Sequence, residues 1–158
     1  MTTATTSIAA MTSVYTLAQT VASASTPPSA ISIDSTVYVF YGLPAVDFEP
    51  QFTIAITDVS AVKQDPRYLG GLSRVEEFEI SGILWGALTD ASAANEQLCA
   101  NFLADMYSAL DAQINLDPTL GGTLVHSWLS EFELSFGASS KGRTVQVDFQ
   151  IHCEALVS

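Results

Sequence analysis

The chain has 158 residues, of which 17 are acidic and 5 basic, giving a formal net charge of −12. That length favours one domain with a single core, and 48% apolar residues with a mean hydropathy of +0.31 exclude a disordered chain. The shortage of Lys and Arg argues against direct nucleic-acid binding, which needs cationic contacts to phosphate, and equally against an anionic membrane surface. It fits a protein that repels polyanions or docks on basic partners.

The N-terminus "MTTATTSIAAMTSVYTLAQTVASASTPPSA" contains an "ASA" that resembles a signal-peptide cleavage site, but the first basic side chain is Lys63. The cationic start of a secretory signal is missing, so export is not expected. No segment approaches the ~20 apolar residues of a membrane span. Ile8, Met11, Tyr15, Ala18 and Val21 recur at spacings of three and four, which predicts an amphipathic helix over residues 5–24. Pro27 and Pro28 end it, so residues 1–30 form a helix and a Ser/Thr/Pro linker.

Strand-like runs follow. "TVYVFY" (36–41) and "QFTIAITDV" (51–59) are rich in β-branched and aromatic residues and bounded by turn signals. Residues 59–73, "VSAVKQDPRYLGGLS", have no periodicity and are expected to project as a long loop. In "RVEEFEISGILWG" (74–86), Phe78, Ile80, Gly82 and Leu84 alternate with Glu77, Glu79 and Ser81. Val75 falls out of phase, which suggests a bulge or an earlier strand start.

Residues 89–114 carry the clearest helical stripe, with Leu98, Phe102, Met106 and Leu110 at i+4 and Cys99, Leu103 and Ile114 beside them. Thr89 or Asp90 is the expected N-cap, and Asp117-Pro118 the stop. Strands at 123–128 and 129–136 could be one bent strand. The last strand (143–156) sets Val145, Val147, Phe149, Ile151 and Cys153 against Gln146, Asp148, Gln150, His152 and Glu154, so one face is buried and one wet. "GASSKG" (137–142) makes a hairpin. The order predicts a single α+β domain over 1–158: a mostly antiparallel sheet of about five strands, packed on one face by two helices.

Chemistry-bearing motifs are scarce. Cys99 and Cys153, the only cysteines, fall on apolar stripes and read as buried free thiols. His126 and His152 stand on separate strands without zinc-ligand spacing, and no phosphate loop or nucleophile elbow occurs. In "LDPTLGGTLVHSW" the double glycine Gly121-Gly122 lacks the lysine and helix start of a phosphate cradle, so it reads as a turn back into the sheet. Glu76, Glu77 and Glu79 suggest a metal or acid–base cluster, but alternation puts Glu77 and Glu79 on a solvated strand face. No catalytic, cofactor or metal residue is assigned.

Charge geography is more informative. The basic residues lie in two regions, Lys63, Arg67 and Arg74 in the first and Lys141 and Arg143 in the second. Glu77, Glu79, Glu131, Glu133, Asp148 and Glu154 share strands with apolar partners, so neighbouring strands would merge them into one acidic sheet surface. An isolated monomer gains little from such self-repulsion, whereas a ring could turn it into a channel lining. Ordinary solvated strands with basic loop tips also fit this pattern.

The ordering resembles the tail terminator (tail completion) proteins of long-tailed bacteriophages, in the broad lambda-like group. The resemblance covers most of the chain: the N-terminal helix, "STVYVFYGLP", "FTIAITDV", a long loop, "VEEFEISGILWG", the "ASAANEQLCANFLADMYSAL" helix, "LDPTLGGTLVHSWLSEF" and "RTVQVDFQIHCEAL". Order and spacing carry it rather than a signature, and the N-terminal tract is richer in Ser and Thr than the family pattern. It implies a non-enzymatic virion protein without cofactor or membrane association, assembled in the host cytoplasm. It further implies a ring, usually a hexamer, that caps the tail tube at its head-proximal end and stops tube-subunit polymerisation. Its partners would be itself, the tail tube protein and the head–tail connector protein, with DNA passing through the hole unbound. Charge and alternation then nominate Lys63, Arg67, Arg74, Lys141 and Arg143 as interface residues. They nominate Glu131, Glu133, Asp148 and Glu154 as lumen residues, with the 59–73 loop as an inter-subunit or tube contact.

Three alternatives remain at this level. Another connector or a tail-tube protein would stack on both faces. An acidic mimic of DNA, or an inhibitor of a basic partner, would bind stoichiometrically without self-assembly. A metal-dependent hydrolase would need Glu77 and Glu79.

Overall fold

The computed structural model describes residues 3–33, 35–44, 50–68, 74–90, 92–139 and 142–157. The elements are α1 (Thr3–Ala24), β1 (Val37–Tyr41), β2 (Phe52–Val59), β3 (Lys63–Tyr68), β4 (Arg74–Leu88), α2 (Ala93–Leu116), β5 (His126–Ser139) and β6 (Gly142–Val157). The fold is α+β. The strands run in the order β1-β2-β4-β6-β5, with β3 beside β2 along the first part of β4.

In α1 the buried stripe is Ala10, Met11, Val14, Ala18, Val21 and Ala22, while Ile8 is 60% exposed. The stripe is therefore turned by about one position from the expected one. Ala10, Val14 and Ala18 let the helix lie close to the sheet, Thr6 is buried, and Thr12, Thr16 and Thr20 face outward. There Thr12, Thr16 and Thr20 each donate a hydroxyl to the carbonyl four residues earlier, at 2.9, 3.1 and 3.3 Å. This back-bonding satisfies the hydroxyls of a Thr-rich helix without tertiary partners. The linker beyond is held by Gln51, whose amide donates to the carbonyls of Ile31 and Ala87 and accepts from the Ile33 N–H at 2.7 Å.

The sheet is mostly antiparallel as expected, with one exception, and one loop expectation needs correction. The ladder between β1 and β2 is parallel, running from Val37↔Phe52 to Tyr41↔Ile56, although every other pairing in the sheet is antiparallel. Among its described residues, the expected 59–73 loop also contains a strand, β3. β3 pairs with β4 from Lys63↔Glu77 to Tyr68↔Arg74, continuing the course of β2, and residues 69–73 lie outside the described residues. Pro66 and the charged residues around it hide β3 in the sequence, and an edge position tolerates such a composition.

β4 and β6 pair without a break from Arg74↔Val157 to Leu88↔Arg143, so β4 itself does not bulge at Val75. The register shift there is on β3, between Asp65 and Tyr68. The residue on the unexpected face is Glu76, fully buried in phase with Phe78 and Ile80. β5 is the single bent strand foreseen, with its register shift between Leu129 and Glu131. β6 alternates as expected, with Val145, Val147, Phe149, Ile151 and Cys153 each at most 1% exposed.

Both helices cover this apolar face and join its core. Ser92, not Thr89 or Asp90, caps α2; its side chain accepts the Asn95 N–H at 3.2 Å. Cys99, Phe102, Leu103, Met106, Leu110 and Ile114 are buried, while Leu98 sits at the margin with 37% exposure. Gly82 lets the sheet accept the Phe149 ring: a Cβ there would lie 2.3 Å from the ring edge. Beyond α2, Asp117 organises the turn by accepting the Gly121 N–H at 2.8 Å and the Thr119 hydroxyl at 2.7 Å. Leu120, Gly121 and Gly122 take φ values of 48°, 75° and 85°, so the double glycine supplies left-handed backbone.

Candidate functional site

The face of the sheet opposite the helices divides in two. Around β1, β2 and the end of β4 it is apolar: Tyr38 and Phe40 lie in register with Thr53 and Ala55, which face Trp85 and Ile83. Thr53 and Ala55 are 3% and 0% exposed, so solvent does not reach the middle of this part of the face. The acidic surface occupies the remainder, made of β5, β6 and the first half of β4.

There the register builds successive rows across the strands. Lys63, Glu77, Glu154 and His126 stand abreast, followed by Glu79, His152 and Trp128. Ser81, Gln150 and Glu131 form the next row, and Ile83, Asp148 and Glu133 the one after. Side chains directly opposite one another in a sheet approach to ~5 Å, so these carboxylates repel across strands. Neutral donors offset part of that repulsion. Gln146 Nε2 donates to Asp148 Oδ1 at 2.9 Å, and the Ser130 hydroxyl, from the bulge, donates to Glu79 Oε2 at 3.3 Å. With its amide nitrogen turned inward, Gln150 reaches Glu131 Oε2 at 3.0 Å and Glu79 Oε2 at 3.1 Å.

His152 lies at the centre of this half. Its Nδ1 is 3.2 Å from Glu79 Oε1 and its Nε2 is 3.6 Å from Glu154 Oε1. Its ring lies 4.4 Å from that of Trp128, which lies 5.1 Å from His126. The two histidines are thus one cluster joined through an indole, although they are 26 positions apart in sequence. Glu77, His152 and Glu154 each offer a ligand atom within 4.8 Å of the others. Cross-strand register rather than sequence spacing brings His126, Trp128 and His152 together, and His152 is the one histidine of that ligand group.

β5 pairs only with β6, so one backbone edge of this 14-residue strand is open among the described residues. On its helix-side face Phe132, Leu134 and Phe136 are in register with buried Phe149, Val147 and Val145, yet remain 44%, 41% and 53% exposed. α2 touches the first of them through a Tyr107–Phe132 edge contact at 4.8 Å. On the other face of the same strand stand Glu131 and Glu133.

The nominated basic residues fall at opposite ends of the sheet. Lys63, Arg67 and Arg74 lie where β3 and β4 meet, and Arg143 lies opposite Leu88 at the far end. A strand of β4's 15 residues separates the two groups by roughly 45 Å. Lys63 is exposed in register with Glu77. Arg143 is engaged within its own chain: its Nε meets Glu96 Oε1, in the first turn of α2, at 2.7 Å. Lys141 lies outside the described residues. The nominated lumen residues Glu131, Glu133, Asp148 and Glu154 do share one face, joined by Glu77 and Glu79.

Both cysteines are free and buried. Burial pushes the Cys99 thiol up to about 11, and burial followed by the Glu79 carboxylate pushes Cys153 up to about 12. Neither described helix is long and apolar enough to cross a membrane. A scan against protein-family models finds no match, and a search of curated proteins finds none.

Proposed function

We propose that this chain is a structural virion subunit that closes into a ring, on the pattern of the phage tail terminators. The ring would cap a finished tail tube and offer a surface to the head connector. One observation supports this above the others: the acidic face lies beside an outer strand that leaves its backbone edge and Phe132, Leu134 and Phe136 uncovered. Long open edges with apolar side chains invite pairing with another chain. In a ring each β5 edge would be covered by a neighbouring copy, and the acidic faces would turn toward the axis.

Glu131, Glu133, Asp148 and Glu154, with Glu77 and Glu79, would then line the hole. Such a lining repels phosphate, so a duplex passes without sticking. Lys63, Arg67 and Arg74 at one end of the sheet, together with Lys141, would make contacts to neighbouring copies, tube protein or connector. Assembly would take place in the host cytoplasm, and the ring would stay at the head-proximal end of the tail.

The test is to add the purified protein to polymerising tail-tube subunits and image the products by negative-stain electron microscopy. Rings at one end of each tube and arrested growth support the proposal. Stacking at both ends would indicate a tube subunit instead. Unchanged tubes, together with tight stoichiometric binding to a nuclease, would indicate an acidic mimic.

A further inference from the structure

We propose that Glu77, His152 and Glu154 form a binding site for a divalent metal of the zinc type. His152 and Glu154 are two apart on β6 and so point to one face, and Glu77 stands directly across from Glu154 on β4. A ligand atom from each lies within 4.8 Å of the others.

The imidazole separates this arrangement from an ordinary acidic surface. His152 Nδ1 lies 3.2 Å from Glu79 Oε1, a carboxylate outside the ligand set. When Nδ1 carries the proton it donates to Glu79, which leaves Nε2 unprotonated and able to bind a metal. Metal-bound histidines recur with a carboxylate on the outer nitrogen, which orients the ring and raises its basicity. Nε2 and Glu154 Oε1 are 3.6 Å apart, too long for a hydrogen bond. Two ligands sharing a tetrahedral ion with bonds of roughly 2.0–2.1 Å stand about 3.3 Å apart, so little movement closes this pair on a metal. His126, in register with Glu154 on β5, places a second imidazole beside the site, and water can fill any remaining position.

A central imidazole between carboxylates favours Zn²⁺, Co²⁺ or Ni²⁺ over Mg²⁺ or Ca²⁺, which prefer all-oxygen shells. A dication would also relieve the repulsion among Glu77, Glu79 and Glu154. The site is formed within one chain, so its fate is independent of ring assembly.

The experiment is calorimetric titration of the untagged protein with Zn²⁺ in about 150 mM salt, where diffuse counterion binding is screened. It is paired with the absorption spectrum of the Co²⁺ form. The expected result is one Zn²⁺ per chain, saturable, with a Co²⁺ spectrum free of thiolate bands. His152→Asn should abolish binding and Glu77→Gln weaken it at least tenfold. Glu133→Gln, which removes the same charge from the same face, should bind as the parent does. Circular dichroism confirms that each variant is folded. Uptake below half an equivalent, equal binding by the His152 and Glu133 variants, or thiolate bands placing Co²⁺ on the cysteines would overturn the proposal.

Discussion

Tyr107 of α2 and Phe132 of β5 meet edge to face, their ring centroids 4.8 Å apart at 76°, and Phe132 is still 44% exposed. Beyond it β5 carries Leu134 and Phe136 into solvent on the face that is core one strand further in. Changing Leu134→Glu together with Phe136→Glu should block ring formation, in solution or on tail tubes. Sites this exposed change stability by little, so circular dichroism and Tm should stay within a few degrees of the parent. An unchanged assembled mass would exclude this stripe from the subunit interface.

Gly82 carries a second prediction. An alanine Cβ would sit 2.3 Å from the Phe149 ring and 2.9 Å from the Ala55 carbonyl oxygen. Overpacking of this kind costs typically 1–3 kcal/mol, so Gly82→Ala should lower stability by about that amount in urea unfolding. A variant as stable as the parent would mean that Phe149 does not rest on the strand at Gly82.

The thiols supply a third. With Cys99 and Cys153 buried and their thiols raised to about 11 and about 12, the reactive thiolate is scarce at neutral pH. Ellman's reagent at pH 8 should label neither cysteine in the folded protein and both in guanidinium chloride. Rapid labelling of the native protein would contradict the packing of α2 and β6 described above.

Asp117 supplies a fourth, and its sign follows from its hydrogen bonds. The Thr119 hydroxyl, the largest cause, and the Gly121 N–H hold its carboxyl below the usual carboxylate range. A carboxylate with a lowered folded value adds stability above the unfolded value, about 4, and loses it as pH falls through the folded value. Asp117→Ala should therefore have a lower Tm than the parent at pH 7, and the gap should close as pH drops below about 4. A gap independent of pH would assign the loss to the backbone turn rather than to the charge.

The parts legible in the sequence are those where local pattern and tertiary environment agree. β6 alternates from Val145 to Cys153 because one face meets helices and the other does not. The α2 stripe is legible for the same reason, its cap less so, since Thr89, Asp90 and Ser92 are all competent and only backbone geometry selects Ser92. β3 escaped because Lys63, Asp65, Pro66 and Arg67 have no apolar face, and its partner β4 determines its structure. The parallel course of β1 depends on how a ten-residue connection crosses, which no local pattern encodes.

The acidic face was foreseen because alternation alone places Glu77, Glu79, Glu131, Glu133, Asp148 and Glu154. The cluster of His126, Trp128 and His152 was not, since it depends on the register between β5 and β6. Glu76 lies outside any alternation argument built on polarity, because its neighbours Phe78 and Ile80 define the buried face it shares.

The ring is the central claim, and native mass tests it most directly. Sedimentation should be measured across protein and salt concentrations, alone and with purified tail tubes. The expected result is a closed oligomer at a fixed multiple of the 16.8 kDa chain, or a monomer that becomes one on the tubes. A protein that stays monomeric with tubes present, and leaves their length uncontrolled, would contradict it.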